Sequence, residues 1–168
     1  LNWARRQHNQ GDLETAIDRY ERILNVRHFI QTPLVTSVER HLAYAKNGRT
    51  VPHINDLLLN ASQQTQVSAT FLSYIHGYEW YPDEVKFING VQESAQHLFE
   101  WAIKQHNLGN FETALSRYET LLHYKDIINS NLHDSVKAKR GDAILGKRPA
   151  NVIIEMASNE SSATRMLS

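Results

Sequence analysis

The sequence contains no cysteine among its 168 residues. Disulfide bonds, thiolate zinc sites and cysteine nucleophiles are therefore excluded as ways of stabilising or operating this protein. The absence does not assign a cellular compartment, because many exported bacterial proteins also avoid cysteine.

A surplus of charge is missing too, since 18 lysines and arginines balance 18 aspartates and glutamates. Without basic blocks, the chain has little electrostatic attraction for nucleic acid or for an anionic membrane surface. It also lacks an apolar run near the ~18 residues that a membrane-spanning helix needs. We therefore expect no nucleic-acid partner and no membrane span.

What the sequence does contain is an internal repeat. Residues 7–24 read QHNQGDLETAIDRYERIL, and residues 105–122 read QHNLGNFETALSRYETLL, a displacement of 98 positions. When the comparison starts at Leu1 and Phe99, 13 of 24 positions are identical. This degree of identity predicts a repeat protein.

The repeat defines the expected domain organisation. Residues 1–168 are predicted to form a single helical repeat domain, with a first long repeat at about 1–98 and a truncated second repeat at about 99–168. The chain begins with Leu1 in the middle of one copy and stops partway through the next. We therefore expect a fragment of a longer protein.

Apolar residues with helical spacing predict an all-α fold. In the best-defined helix, from about residue 13 to 25, Asp12 is the predicted N-cap and Gly11 ends the preceding helix. Asn89-Gly90 is predicted to separate a short helical turn from a long helix. The remaining predicted helices cover about 1–9, 33–47, 53–63, 67–81, 91–107, 111–122 and 130–145, and the triplet Val152-Ile153-Ile154 is also assigned to a helix.

The best-preserved phrase resembles the middle of a tetratricopeptide repeat. Its residues are Gly11-Asp12-Leu13-Glu14-Thr15-Ala16-Ile17 with Tyr20, and the pattern returns from Gly109 to Tyr118. The resemblance implies a right-handed solenoid of antiparallel helical hairpins. A weaker unit at about 54–82 has Thr70, Tyr74, Gly77 and Pro82 at the spacing that closes such a repeat. The long period would then hold about three hairpin units.

The long period also resembles repeats in exported, cell-envelope-associated proteins of Bacillus-like bacteria. That resemblance implies a spacer or interaction segment in a secreted or envelope-associated protein, and the alternative location is the cytoplasm. The residues that carry it are Gly77-Tyr78-Glu79-Trp80-Tyr81-Pro82-Asp83, Phe87, Gly90, Ser94-Ala95, Leu98 and Trp101-Ala102.

Residues suited to catalysis or metal binding are not grouped in the sequence. His8 and His106 occupy the same repeat position, but no HxxxH or HExxH pair accompanies them, so we expect hydrogen bonds to the neighbouring turn. Gly141 to Lys147 matches half of a phosphate loop, but Arg148 stands where the magnesium-binding hydroxyl belongs. Asp83-Glu84 is interpreted as a solvated helix start. We expect no metal, no cofactor and no enzymatic activity.

The predicted function is therefore non-catalytic. In a helical-repeat scaffold or spacer, a protein or peptide partner would bind the concave groove, where we expect Gln7, Asn9, Gln105 and Asn107. The alternative is a module that binds cell-wall glycan, in which Trp80 and its neighbouring tyrosines would stack on sugar rings.

Overall fold

The computed structural model describes residues 1–146, and within that range the protein consists of helices joined by short turns, without a strand. This confirms the all-α class; the triplet Val152-Ile153-Ile154 lies outside the described residues. A 3₁₀ turn, Arg27–Phe29, follows the second helix. The α-helices are α1 (Asn2–Asn9), α2 (Leu13–Asn25), α3 (Thr32–Lys46), α4 (Ile54–Gln63), α5 (Val67–Trp80), α6 (Val85–Asn107), α7 (Phe111–His123) and α8 (Ser130–Ile144).

The turn between α1 and α2 follows directly from its sequence. Gly11 adopts φ 84°, a left-handed conformation in which other residues are strained. The amide of Asp12 then donates to the Gln7 carbonyl at 3.0 Å, which closes the end of α1. The Asp12 carboxylate accepts from the Thr15 amide at 3.2 Å, so the predicted N-cap is confirmed.

The chain divides into two compact units, Leu1–Ser94 and Ala95–Ser168. The first contains α1 to α5 and the beginning of α6. Its buried residues form two apolar clusters. One cluster joins α1, α2 and α3 through Ala4, Ala16, Tyr20, Val38 and Ala45. The other consists of Val51, Trp80, Tyr81 and Phe87.

The second unit contains the end of α6 together with α7 and α8. Its turn repeats the first one, since Gly109 adopts φ 83° and the Asn110 amide donates to the Gln105 carbonyl at 2.9 Å. Its fully buried side chains include Ala102, Ala114, Tyr118, Leu121 and Val136. These positions recur at helical spacing within the ranges predicted for α6, α7 and α8.

The start of α6 differs from the prediction. Asn89-Gly90 does not separate two helices, because α6 runs without interruption from Val85 to Asn107. At Gly90 the ring of Tyr74 occupies the space where a Cβ atom would lie. This glycine therefore permits close packing of α5 against α6, and the packing outweighs its cost of ~1 kcal/mol within a helix.

This continuity changes how many helices the repeat contains. The helical turn predicted near 83–88 is part of α6, so five α-helices, α1 to α5, precede the helix that repeats α1. The three complete helical hairpins predicted for the long period would need six helices. No helix within residues 1–146 is both long and apolar enough to cross a membrane.

Candidate functional site

The five residues predicted to bind a ligand are distributed over both units. Gln7, Asn9 and Trp80 belong to the first unit, whereas Gln105 and Asn107 belong to the second. Gln105 stabilises its own turn, because its side-chain oxygen accepts from the Asn110 amide group at 2.8 Å. The side-chain oxygen of Asn107 is buried. The Gln105 side chain thus has a structural role in its own turn, which is an alternative to the predicted role in ligand binding.

The glycan-binding alternative needs an accessible Trp80, but this residue is buried. Its side chain is only 3% exposed. The rings of His41 and Tyr44, both on α3, contact the indole edge to face at 5.2 and 4.8 Å between centroids. Because α3 covers the C-terminal end of α5, that end is buried on more than one side. In this arrangement the indole has no open face for a sugar ring.

Next to Trp80 lies a buried polar network that the sequence did not predict. Arg5 is 7% exposed, and its Nη1 donates to both carboxylate oxygens of Asp83 at 2.7 and 3.0 Å. Nη2 lies 3.3 Å from the Trp80 carbonyl oxygen, which also accepts from the Ser37 hydroxyl at 2.6 Å. The guanidinium group lies 4.9 Å from the centroid of the Tyr81 ring. Arg5 thus connects α1 to the segment between α5 and α6.

His41 belongs to the same buried region. Its Nδ1 donates to the Ser37 carbonyl at 2.7 Å, one turn earlier on α3. Burial lowers the pKa of His41 to about 4, aided by the positive charge of Arg5 and opposed by the hydrogen bond to Ser37. The imidazole is therefore neutral at physiological pH and supplies a hydrogen bond rather than a charge.

The repeated histidines contact a tyrosine of the following helix. His8 Nδ1 lies 3.3 Å from the Tyr20 hydroxyl, and His106 Nδ1 lies 3.2 Å from the Tyr118 hydroxyl. Both histidines are 0% exposed. Each of these contacts joins two neighbouring helices, and His8 Nε2 also donates to the Arg49 carbonyl at 2.7 Å. Within residues 1–146, no three His, Asp or Glu side chains are placed to hold a metal ion.

Asn9 lies at a small polar cavity of about 270 Å³ in the first unit. Arg5, Tyr81 and Asp83 of the polar network form part of its wall. The Tyr81 hydroxyl donates to the Pro52 carbonyl at 2.7 Å, and burial raises the pKa of that hydroxyl. Arg5, Tyr81 and Asp83 thus already have hydrogen-bond partners within the protein, and the cavity adjoins the structural core.

A larger and more open groove lies between α4, α5 and α6 of the first unit, with a volume of about 560 Å³. We call it the α4–α6 groove. It is large enough for several apolar side chains. Its lining combines leucines and a tyrosine with amide, hydroxyl and charged groups. The residues are Asn55, Leu58, Leu59 and Ser62 of α4, Tyr74 of α5, and Lys86, Asn89, Gly90 and Glu93 of α6.

The directions of these helices follow from their contacts. Gly77 faces Phe87 and Gly90 faces Tyr74, so residues later on α6 meet residues earlier on α5. Between α4 and α5, Ser73 donates to the Asn60 side chain at 3.4 Å and Thr70 to the Gln64 carbonyl at 3.4 Å, an equally reversed order. Both pairs are antiparallel. Consequently α4 and α6 run parallel, with α5 between them.

The groove exposes apolar surface where α4 faces solvent. Leu59 is 55% exposed, although it lies within a helix whose neighbours Leu57 and Leu58 pack against the core. Lys86, Asn89 and Glu93 are also exposed. Exposed apolar surface surrounded by polar side chains is typical of an interaction site.

Comparisons with known proteins do not identify a relative: no protein-family model matches the chain, and neither a curated protein nor a solved structure is significantly similar to it. The class of the protein is therefore defined by its fold and sequence alone: it is an all-α protein with an internal repeat. The evidence on its function comes from the α4–α6 groove.

Proposed function

We propose that this chain is a non-catalytic binding module whose first unit holds a protein or peptide partner in the α4–α6 groove. The observation that carries the proposal is the mixed lining of this groove, which combines Leu58, exposed Leu59 and Tyr74 with polar groups. Apolar anchors surrounded by polar groups supply both affinity and orientation at protein interfaces.

The charged groups of the groove also favour binding over catalysis. Lys86 and Glu93 are its two ionisable side chains apart from the Tyr74 phenol. They are separated by seven residues on one helix, which corresponds to about 10 Å along its axis. The backbone therefore does not bring the two groups side by side, as acid–base catalysis on one bond requires.

The setting that we propose is a larger, exported bacterial protein in which this chain is a scaffold or spacer. Support comes from the resemblance to envelope-associated repeats and from the tetratricopeptide-like phrase around Gly11 and Gly109. The complete reading frame tests this setting. A secretion signal beside a wall-binding or hydrolytic domain is expected, whereas a frame encoding a cytoplasmic protein would contradict it.

Selection from a random peptide display library tests the binding function. The 168-residue protein is immobilised, and enriched peptides are measured by fluorescence anisotropy. We expect Leu59→Asp to weaken binding at least about tenfold, because it places a charge where the bound peptide would cover an apolar side chain. Leu108→Asp is the matched control, since Leu108 is 62% exposed and lies in the second unit.

Two results would contradict the proposal. One is a library that yields no peptide enriched on the protein. The other is a set of enriched peptides that bind Leu59→Asp as tightly as they bind the unmodified chain. Circular dichroism of both variants verifies that the helices are retained.

Glycan binding is the alternative function, and it now depends on residues other than Trp80. Tyr74 and Tyr78 are the half-buried tyrosines of α5. Sedimentation with purified sacculi measures this alternative directly. Co-sedimentation that is lost on Tyr74→Ala and Tyr78→Ala substitution would favour it over peptide binding.

A further inference from the structure

We propose that the occupant of the α4–α6 groove is an amphipathic helix that runs antiparallel to α4 and α6. Its N-terminal turn carries basic residues, its middle is apolar, and its C-terminal turn carries acidic residues. The inference deepens the proposed function and rests on it, because it specifies the partner for the same groove.

The parallel directions of α4 and α6 define two ends of the groove. Asn55 and Lys86 lie in the first turns of their helices, which begin at Ile54 and Val85. Ser62 and Glu93 lie about two turns later on the same helices. One end therefore contains a lysine, and the other contains a glutamate.

In the part of the chain that the structure describes, neither of these charges is neutralised. Within residues 1–146, Lys86 and Glu93 take part in no ion pair. Glu84 is close to the lysine end, because the Lys86 amide lies 3.4 Å from its carboxylate, but Glu84 faces the polar cavity instead. An acidic group of a partner is therefore favoured beside Lys86, and a basic group beside Glu93.

Helix dipoles reinforce the same polarity. Both α4 and α6 have their N-termini, with partial positive charge, at the Lys86 end, and the C-terminus of antiparallel α5 at that end offsets one of the two. The C-terminus of a bound helix carries partial negative charge, so it is favoured at that end. An antiparallel helix consequently satisfies the side-chain charges and the dipoles together, whereas a parallel one opposes both.

A helix fits this groove better than an extended peptide. The backbone groups of α4 and α6 are engaged within their own helices, so the walls offer no free strand edge. An extended ligand would have only side-chain groups, such as those of Asn55, Asn89 and Ser62, to satisfy its backbone. A helix satisfies its backbone internally and needs only the apolar contacts of Leu58, Leu59 and Tyr74.

Two stapled helical peptides of about 14 residues, a length spanning about four turns, provide the probes. Both have leucines at i, i+3, i+4 and i+7. The matched peptide has lysines in its first turn and glutamates in its last, and the reversed peptide exchanges them. We expect the matched peptide to bind the full chain about tenfold more tightly by fluorescence anisotropy.

The charge-reversed double variant Lys86→Glu with Glu93→Lys should prefer the reversed peptide. The control is the double variant Glu100→Lys with Lys104→Glu, at two exposed positions of the second unit. It should still prefer the matched peptide. The difference between the peptides should disappear near 1 M salt, where the Debye length falls to about 3 Å.

Equal binding of both peptides, or a preference that survives the Lys86/Glu93 reversal, would overturn the inference. The proposed function fails separately. If library peptides bind in a manner sensitive to Leu59→Asp but the stapled helices do not bind, the groove binds a partner and the helical occupant is wrong. If neither kind of peptide binds, both proposals are wrong.

Discussion

At the scale of single residues, the first unit contains a group of buried polar side chains whose identities the second repeat mostly changes. Arg5, Ser37 and His41 are all buried. Their counterparts 98 positions later are Ile103, Ser135 and Lys139, so the second repeat keeps only the serine. Buried polar groups cost free energy unless they are bonded to each other. The Arg5 network therefore makes the first unit dependent on contacts that the second repeat does not share.

His41 should make the stability of the protein depend on pH. Its folded-state pKa of about 4 lies below the ordinary 6.5, so the unfolded chain binds the proton first as the pH falls. The stabilisation of the folded state by neutral His41 is therefore complete above about pH 6.5 and is lost as the pH falls from about 6.5 to 4. The loss amounts to about 3 kcal/mol.

The measurement is urea unfolding of the unmodified chain and of His41→Gln at pH 7 and at pH 4.5. Glutamine can retain a hydrogen bond but does not titrate in this range. Between pH 7 and pH 4.5, we expect the unmodified chain to lose more unfolding free energy than the His41→Gln variant. A difference that is the same at both values would show that His41 contributes nothing to the pH dependence.

Arg5 should be the most sensitive polar residue of the first unit. Arg5→Ile introduces the residue found at position 103, but it leaves the Asp83 carboxylate without its charged partner. Because the Asp83 side chain is 37% exposed, water compensates in part, and we expect a loss of about 2 kcal/mol. Arg5→Ile combined with Asp83→Leu should recover part of this loss in the same urea unfolding measurement. Additive losses would mean that the two residues are not coupled.

At the scale of helices, α5 and α6 are joined through two glycines. The Phe87 ring occupies the Cβ position of Gly77, and the Tyr74 ring occupies that of Gly90. Gly77→Ala and Gly90→Ala should each destabilise the protein by about 2 kcal/mol, because overpacking exceeds the gain in helix propensity. Thermal unfolding measures the effect.

Gly141 is the matched control for these substitutions. It lies in the last turn of α8, and a Cβ atom there would have no neighbour within 4 Å. Gly141→Ala should therefore raise stability by about 0.5–1 kcal/mol. Destabilisation by all three substitutions would contradict the packing explanation.

The helices were predictable from the sequence because the signals for them are local. The apolar spacing in α2, the Asp12 cap and the left-handed Gly11 depend only on neighbouring residues. Gly90 was misinterpreted because a glycine that ends a helix and one that admits a tyrosine ring look alike in sequence. Only the tertiary contact distinguishes them.

The candidate site was less predictable, because it depends on the register between helices. Spacing does not determine which face of α4 remains open, so Leu59 and Lys86 were not identified. Arg5 and Asp83 are separated by 78 residues, and nothing local to either one indicates their pairing. The burial of Trp80 likewise comes from α3, a helix whose contact with α5 cannot be read from the α5 sequence.

At the scale of the whole molecule, the two repeats provide an internal control. Tyr20 and Tyr118 are equivalent by sequence, fully buried and bonded to His8 and His106. Their environments make both phenols harder to ionise. Burial, the larger effect, raises the pKa of Tyr118 to about 12, and it raises that of Tyr20 as well. The same substitution in each unit therefore tests whether the units are stabilised separately.

Tyr20→Phe and Tyr118→Phe should each cost about 1 kcal/mol, because each leaves a buried histidine nitrogen without its hydroxyl partner. Hydrogen exchange followed by mass spectrometry locates the effect. We expect Tyr20→Phe to accelerate exchange mainly in α2 and α3, and Tyr118→Phe mainly in α7 and α8. Acceleration of about fivefold is expected in the affected helices. If either substitution accelerates exchange equally in all of these helices, the two compact units unfold as one cooperative structure, and stability is shared across the repeat.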